Sequence, residues 1–297
     1  MTVDITMIES VAWLGTRIIQ SLARNVWAER DFYGVMILSL TLAFIVDIQR
    51  SRNLRRRYGS KGFRTDVVYA AVGLSHIQSL WIIAPFAAAL NAAKDVWTPW
   101  FQSNGYISFP LWVSLVLALL FKDFWCYWYH RLQHSNRWLW QVHKVHHAQS
   151  ELTVLTNFRF PVIDILVATV LLLPAGSAMG SMTLPYTLYL LYLLRSFLEH
   201  SDTGWTFGPI GKLFVSPAFH ETHHSVAPEH RNCNFSLVFP IWDHLFGTFS
   251  RRELSQLRYG LATESIPESF IQQLFVPLIG WWRLLVGRPN SDLRQNI

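Results

Sequence analysis

The chain has 297 residues, of which 51% are hydrophobic and only 15% are charged, and its formal net charge is +6. This composition excludes a disordered chain, a coiled coil and a nucleic-acid-binding tail, because each of these needs many more charged residues. The apolar residues fall in long blocks, and a block of about 20 apolar residues is enough to cross the hydrocarbon layer of a bilayer. We therefore expect an all-α integral membrane protein.

The apolar blocks predict about four transmembrane helices. In chain order we expect an interfacial helix, three spans, two shorter apolar stretches and a second interfacial helix, at residues 1–31, 32–48, 67–90, 105–121, 160–173, 182–194 and 270–286. The two shorter stretches form either a pair of tilted spans or a re-entrant hairpin. In both cases the chain returns to the side from which it entered.

The basic residues predict the orientation of these spans. Seven of the 25 Lys and Arg residues lie between positions 50 and 64, without an acidic residue, whereas the loop at 91–104 contains one, Lys94. By the positive-inside rule the loop after the first span is cytoplasmic. A neighbouring span explains the basic cluster, so a nucleic-acid partner is not expected. Residues 122–159 and 195–265 then share the cytoplasmic face of a multi-pass protein in a bacterial inner membrane or an endoplasmic reticulum membrane.

Nine of the 12 histidines form four sets within these two regions, and most of them are spaced for one face of a helix. They form an HxxxH motif, a first HxxHH motif, a single histidine and a second HxxHH motif, at His130, His134, His143, His146, His147, His200, His220, His223 and His224. Side chains three or four residues apart on a helix are neighbours. In HxxHH the first and last members share a face, while the adjacent pair diverges enough to serve two neighbouring ions.

These histidines predict a metal centre within a helical cap on the cytoplasmic face. Nine imidazoles exceed what one ion can hold, so we expect two ions, although imidazole suits zinc, copper, iron and nickel alike. The residues leave two other functions open. A metal transporter or storage protein would need ligands along a transmembrane path, and a zinc-dependent hydrolase would need a carboxylate base such as Glu221.

The order, spacing and neighbours of the motifs resemble a known family. Asp123 precedes HRLQH at 130–134, WQVHKVHH follows at 140–147, and HETHH at 220–224 is followed by Asn234-Phe235 and by WDHLFGT at 242–248. Over about residues 105–250 the chain resembles the fatty acid hydroxylase superfamily, the membrane-bound group of sterol desaturases, sterol oxidases and alkylglycerol monooxygenases.

The resemblance implies a non-haem di-iron oxygenase whose helices present histidines beneath a lipid tunnel in the membrane. Eight histidines of the HxxxH and HxxHH motifs would ligate two ferrous ions, with His200 as a ninth ligand. The enzyme would use O2 to hydroxylate or desaturate a C–H bond of a sterol, fatty acyl or alkyl lipid. Electrons would come from a separate electron-transfer protein or a small reductant, because interfacial and spanning segments occupy residues 1–104.

Three polar residues near the motifs are candidates to support the ligands: Asp123, Asn234 and Asp243. Asp123 lies seven residues before His130 on the same helical face, and the alternative for it is an ion pair with Lys122 or Arg131. We expect one membrane-embedded domain over 1–297. It comprises 1–104 (interfacial helix and first two spans), 105–250 (di-iron region) and 251–297 (interfacial tail). The oligomeric state, the lipid and the carbon oxidised remain open.

Overall fold

The computed structural model describes residues 30–51, 53–75, 110–171, 186–251 and 257–287. Within these residues the regular structure is helical, apart from one isolated bridge between Ser225 and Tyr259, as the all-α prediction requires. The α-helices are α1 (Arg30–Arg50), α2 (Leu54–Tyr58), α3 (Lys61–Leu74), α4 (Leu111–Ser135), α5 (Arg137–His147), α6 (Val162–Leu171), α7 (Tyr186–Leu198), α8 (Pro217–His223), α9 (Ile241–Leu245) and α10 (Phe270–Leu285). Short 3-10 helices occupy Val154–Phe158, Gly208–Lys212 and Pro228–His230.

Helix α1 coincides with the first predicted span. Its segment Tyr33–Arg50 is, among the described residues, the one that is long and apolar enough to cross a membrane. Apolar side chains on one side of α1, such as Ile37 and Ile48, are exposed, while Met36 and Ala43 are buried where the helix packs along α7. The helix therefore presents one apolar face outward and one to its neighbours.

The remaining predicted spans are described only in part. The segment 67–90 begins inside α3, which ends at Leu74, and the segment 105–121 is described from position 110. The predicted interfacial helix at 1–31 and the connection between the two short apolar stretches fall almost entirely outside the described residues. Multi-pass topology and the cytoplasmic orientation therefore stay predictions.

The basic segment 50–64 is not the loop that its composition suggested. It forms α2 and the first turn of α3, and it packs against the part of the chain that follows the first HxxHH motif. Arg57 is buried, where it pairs with Asp47 at 3.0 Å and donates from Nε to the carbonyl oxygen of Leu152 at 2.7 Å. The prediction of a loop was wrong, because most of the segment is helical and Arg57 pairs with a buried carboxylate.

A second buried ion pair joins α3 to the segment after α5. Asp66 accepts hydrogen bonds from Arg159 and Gln149, and from the hydroxyl of Thr156 at 3.0 Å. Arg159 also donates to the carbonyl oxygen of Gly62 at 2.7 Å. Both charged side chains are fully enclosed. This network fixes α3 against the short helix Val154–Phe158, next to the first HxxHH motif.

Helix α10 covers α5 from the other side. It coincides with the predicted helix at 270–286, and the indole N–H of Trp281 donates to the carbonyl oxygen of Trp138 at 2.7 Å. Large apolar side chains on its outer face are exposed, among them Ile271, Phe275 and Trp282. This division into a packed face and an apolar outer face agrees with an interfacial helix.

We expect the Asp66→Asn variant to unfold at a clearly lower temperature than the wild type. Removing one partner of a buried ion pair leaves an uncompensated charge and costs about 3–5 kcal/mol. Thermal unfolding of the detergent-purified protein measures the effect. The Glu151→Gln variant is the control, because its partner Arg56 is 74% exposed and exposed pairs contribute about 0–1 kcal/mol. Equal unfolding temperatures for the two variants would contradict this role of Asp66.

Candidate metal centre

A tight bend at Asn136 brings the first two histidine motifs together. The backbone N–H of Asn136 donates to the carbonyl oxygen of Leu132 at 2.9 Å and closes α4. Its side-chain oxygen accepts from the backbone N–H groups of Trp138 and Leu139 and starts α5. An asparagine is suited to this position because its short side chain caps a helix. The bend folds α5 back on α4, so that HxxxH faces HxxHH.

The third and fourth sets of histidines come from α7 and α8. His200 lies two residues beyond the end of α7. Ser216 caps the start of α8, because its hydroxyl accepts from the N–H of Phe219 at 3.3 Å. Pro217 follows in the first turn of the helix. Serine at the cap and proline in the first turn both favour a helix start. The short α8 thereby presents the second HxxHH motif to α4 and α5.

The structure gathers five histidines into one cluster, which we call cluster 1. Its members are His130, His134, His143, His147 and His223. The Nε2 atom of His147 lies 3.1 Å from those of His134 and His223, and 3.2 Å from that of His143. The Nε2 atoms of His130 and His143 are 3.1 Å apart. All five side chains are buried.

The other four histidines form cluster 2, directly beside cluster 1. Its members are His146, His200, His220 and His224. Successive Nε2 atoms, from His146 to His200, His220 and His224, are each 3.1 Å apart. The rings of His146 and His147 have centroids 5.6 Å apart, and those of His223 and His224 are 5.4 Å apart. Each HxxHH motif therefore contributes to both clusters.

The distances within each cluster fit a bound metal ion. With metal–nitrogen bonds of about 2.1 Å, adjacent ligands at right angles have nitrogen atoms about 3.0 Å apart. The observed separations of 3.1–3.2 Å agree with that value. Nitrogen atoms that converge in this way repel one another unless a cation or shared protons lie between them. All nine histidines predicted as ligands thus fall into two groups, each of which could hold a metal ion.

Burial keeps these imidazoles in the neutral form that binds metals. Removal from water lowers the pKa of every histidine in the two clusters, to about 4 for His130 and about 3 for His200. Within the clusters, repulsion between neighbouring charged rings lowers the pKa of His147 and His224 further. Near neutral pH the whole layer therefore offers lone pairs rather than positive charge.

Backbone carbonyl groups orient two of the rings. The Nδ1 atom of His130 donates to the carbonyl oxygen of Phe235 at 2.9 Å, and that of His223 to the carbonyl oxygen of Cys233 at 2.8 Å. These bonds place the hydrogen on Nδ1 and leave the lone pair of Nε2 directed into cluster 1. The segment 233–250, which provides both carbonyl groups, therefore positions the ligand rings.

The three polar residues predicted to support the ligands act on this segment instead of on an imidazole. Asp243 accepts from the backbone N–H groups of Phe235 and Ser236, both at 2.8 Å. Asp123 accepts from the N–H groups of Val238 and Phe239, at 2.8 and 2.9 Å, and from the indole N–H of Trp242. Asn234, at φ 57°, bonds through both side-chain atoms to the backbone of Ser250.

The other two described histidines and both cysteines belong to neither cluster. His76 falls outside the described residues, and His244 is exposed and stacks on Phe249. His230 is buried near cluster 1 but belongs to neither cluster. Of the cysteines, Cys233 donates from Sγ to the carbonyl oxygen of His230, and Cys126 is a buried free thiol.

An apolar cavity of about 390 Å³ lies against the histidine layer. Five of the nine histidines line it: His130, His143, His146, His200 and His220. Most of the remaining surface is apolar and comes from α4, α6 and α7, with Phe160, Ile165 and Leu237 among its residues. A cavity of this kind suits an extended apolar ligand whose reacting carbon lies beside the metal centre.

Asp164 is a polar residue of this cavity that the sequence analysis missed. It accepts from the hydroxyl of Tyr129 at 3.1 Å and from Gln133 at 3.0 Å, and its second oxygen lies 4.0 Å from Nδ1 of His143. The signal was available in the sequence, because a carboxylate in the otherwise apolar stretch 160–173 indicates a functional position. The spacing of the histidines gave no hint of it.

Comparison with known proteins agrees with this architecture. The family model described as "Fatty acid hydroxylase" matches residues 115–248. The chain belongs to the fatty acid hydroxylase superfamily. This confirms the resemblance carried by the histidine motifs, and the matched domain contains most of α4, all of α5 and all nine clustered histidines.

Several curated relatives share this domain. The chain is 31% identical to an ornithine lipid hydroxylase of Rhizobium tropici over 230 residues, which are 76% of this chain and 66% of that protein. It is 29% identical to the human alkylglycerol monooxygenase over 180 residues, 58% of this chain and 38% of the relative. A very-long-chain aldehyde decarbonylase of Oryza sativa is 29% identical over 163 residues, 50% of this chain and 24% of the relative. No solved structure gives a significant match.

We expect the Asp243→Asn variant to bind metal about 10- to 100-fold more weakly, since groups that orient ligand residues contribute that much to affinity. The amide of the variant cannot accept from the N–H groups of Phe235 and Ser236 and from the hydroxyl of Thr248 at the same time. The backbone at Phe235, whose carbonyl group orients His130, is then held less firmly. Metal retained per chain during titration with a chelator measures the change. The neighbouring exposed His244→Ala variant is the control, and equal retention by the two variants would refute this role.

Proposed function

We propose that the protein is a membrane-bound, non-haem di-iron oxygenase that uses O2 to hydroxylate or desaturate a C–H bond of a lipid. The observation that carries the proposal is the contact between two imidazole clusters and a single apolar cavity. Membership of the fatty acid hydroxylase superfamily supports an oxidoreductase acting on lipids.

Cluster 1 would hold one iron ion through five imidazoles, and cluster 2 would hold the second through four. Imidazole ligands suit iron, and the relatives are named hydroxylase and monooxygenase, activities that depend on a redox-active centre. When bound, the two ferrous ions would supply the O2-derived oxidant that removes hydrogen from the lipid. The nine imidazoles remain neutral throughout, because burial disfavours their protonation.

The protein contributes orientation and the exclusion of water. The apolar cavity receives the hydrocarbon chain of the lipid, and side chains such as Phe160, Ile165 and Leu237 keep bulk water away from the histidine layer. The bends at Asn136 and Ser216 hold the clusters in fixed positions relative to this cavity. A lipid carbon beside His143 and His146 then lies next to both clusters.

The polar groups of the cavity favour a lipid that carries a polar group near the oxidised carbon. Asp164 with Tyr129 and Gln133 forms one polar patch, and Arg195 with Glu199, an ion pair from α7, forms another. The names of the relatives refer to an ornithine lipid and to alkylglycerols, both of which combine hydrocarbon chains with polar groups. We infer a polar lipid as the substrate of this protein too.

We further propose that the whole chain is one multi-pass membrane domain with its metal centre at the cytoplasmic face. Electrons would reach it from a separate electron-transfer protein or a small reductant. One alternative, a zinc-dependent hydrolase, would use Glu221 as its base. Glu221 is fully buried and accepts from the backbone N–H groups of Thr203 and Gly204, both at 2.9 Å. It does not line the cavity, and this contact pattern disfavours the hydrolase. A metal transporter or storage protein, the other alternative, has no use for an apolar cavity.

Metal analysis tests the two-ion proposal. We expect about two iron ions per purified chain, from the number of imidazoles and their preference for iron. His223→Ala should remove the ion of cluster 1 and His220→Ala that of cluster 2, so that each variant keeps about one ion. His244→Ala, outside both clusters, should keep both. A single zinc ion that ferrous reconstitution does not replace would contradict the proposal and favour the hydrolase.

A labelling experiment tests the reaction. Reconstituted protein is incubated with ¹⁸O2, a reductant and bacterial lipid extract or pure ornithine lipid and alkylglycerol. We expect one ¹⁸O atom in a lipid product or, for desaturation, a loss of two hydrogen atoms. His146→Ala should abolish either change, while His244→Ala should not. Unchanged lipids with an iron-loaded, reduced protein would refute the oxygenase.

A further inference from the structure

A second, smaller cavity lies against the other histidines of the layer. Its volume is about 50 Å³, and four cluster histidines line it: His134, His147, His223 and His224. The five that line the apolar cavity are different ones, and the two cavities share no residue at all. The nine histidines therefore form a wall with the large apolar cavity on one side and this small cavity on the other.

The small cavity opens toward water. Three of its lining residues, Arg231, Asn232 and Ala262, are exposed at the surface. Arg231 and Asn232 follow the helix Pro228–His230. Ala262 follows Arg258 and Tyr259, which pair through their backbone with Val226 and Ser225. A volume of this size has room for a few water molecules and none for a lipid.

His230 is the residue of this cavity whose contacts are incomplete. It is buried to 3% exposure, and within the described residues neither of its ring nitrogen atoms has a hydrogen-bond partner. Buried polar groups are almost always paired with protein or with ordered water. Because His230 lines the cavity, water held there would complete its hydrogen bonds. Its carbonyl oxygen accepts from Cys233, whose own carbonyl group orients His223, so His230 is fixed beside cluster 1.

Hydroxylation by O2 consumes protons as well as electrons. One oxygen atom of O2 enters the C–H bond, and the other leaves as water after taking up two electrons, from a one-electron carrier protein, and two protons. The lipid that fills the larger cavity would exclude water, the source of these protons, from that side of the centre. Among the groups lining the small cavity outside the two clusters, His230 and Arg231 carry ionisable protons. Arginine does not release its proton in proteins, whereas a histidine ring has one nitrogen that can accept a proton and one that can donate it.

We propose that the small cavity is the water entrance of the metal centre and that His230 is its proton-relay residue. The inference rests on the proposed oxygenase function. His230 takes a proton from water that enters beside Arg231 and passes it, through water held in the cavity, to the oxygen atom that leaves as water. Lipid and protons thereby reach the centre from opposite faces of the histidine layer.

Thiol labelling tests the entrance without any metal or turnover. Iron-free His230→Cys protein is treated with a small, charged, water-soluble methanethiosulfonate, and the labelled sites are found by mass spectrometry. We expect the introduced thiol to react at least about tenfold faster than the native thiol of Cys126, which lines the apolar cavity. Equal protection of the two thiols would overturn the water entrance.

Chemical rescue tests the relay. At saturating lipid, we expect His230→Ala to retain the iron of the wild type and to lose turnover by about 100-fold or more, the usual scale for a positioned acid or base. Added imidazole should restore turnover by entering the space left by the side chain. His230→Phe should stay slow with and without imidazole, because its ring fills that space without carrying a proton.

The outcomes separate a relay from a packing role and from failure of the proposed function. Wild-type turnover in either variant would overturn the relay. Wild-type turnover in His230→Phe together with slow turnover in His230→Ala would indicate that only the volume of the side chain matters. If the wild type binds no iron and oxidises no lipid, the oxygenase proposal fails, and the labelling result still decides whether water enters at His230.

Discussion

The structure depends on holding nine uncharged imidazoles face to face in a space without bulk water. Converging lone pairs repel one another, and nothing within the two clusters relieves that repulsion except a cation or shared protons. Contacts elsewhere in the fold must therefore hold the rings together against this repulsion. Two short caps, Asn136 and Ser216, do this at the helix ends, and the carbonyl groups of Cys233 and Phe235 fix the rotation of two rings. Metal binding would then relieve a repulsion that folding has already created.

Buried charges provide the rigidity that this arrangement needs. Asp66 with Arg159 joins α3 to the segment after α5, and Lys144, which lies on α5 between cluster histidines, pairs with Glu264 at 2.7 Å. Such pairs seldom add much net stability, but they are satisfied in a single arrangement and so specify it. A core made from apolar contacts alone would allow α5 to slide or rotate, and a rotation would carry a histidine from one cluster to the other. Polar contacts of fixed geometry near the site therefore keep each histidine in its own cluster.

Helical periodicity alone predicts how each HxxHH motif divides between the clusters. His143 and His147 share cluster 1 while His146 belongs to cluster 2, and in the second motif His223 is separated from its neighbours in the same way. Which motifs share a cluster depends on contacts between distant segments, and spacing carries no information about those. The same limit applies to Asp123 and Asp243, whose nearness to the site was predictable but whose action through backbone N–H groups was not. The sequence likewise could not reveal that Arg57 is buried, since its partner Asp47 lies on another helix.

The separation of the two cavities suits the proposed chemistry of an oxygenase that acts on lipids. An oxidant strong enough to attack a C–H bond must be kept from water, yet the reduction of O2 consumes protons that only water can deliver. A single open site cannot meet both demands. A layer of histidines that separates an apolar cavity from a small, partly polar cavity meets them together, because each set of histidines then has its own surroundings. For the proposed reaction, the division of five and four histidines between the cavities matters as much as their division between clusters 1 and 2.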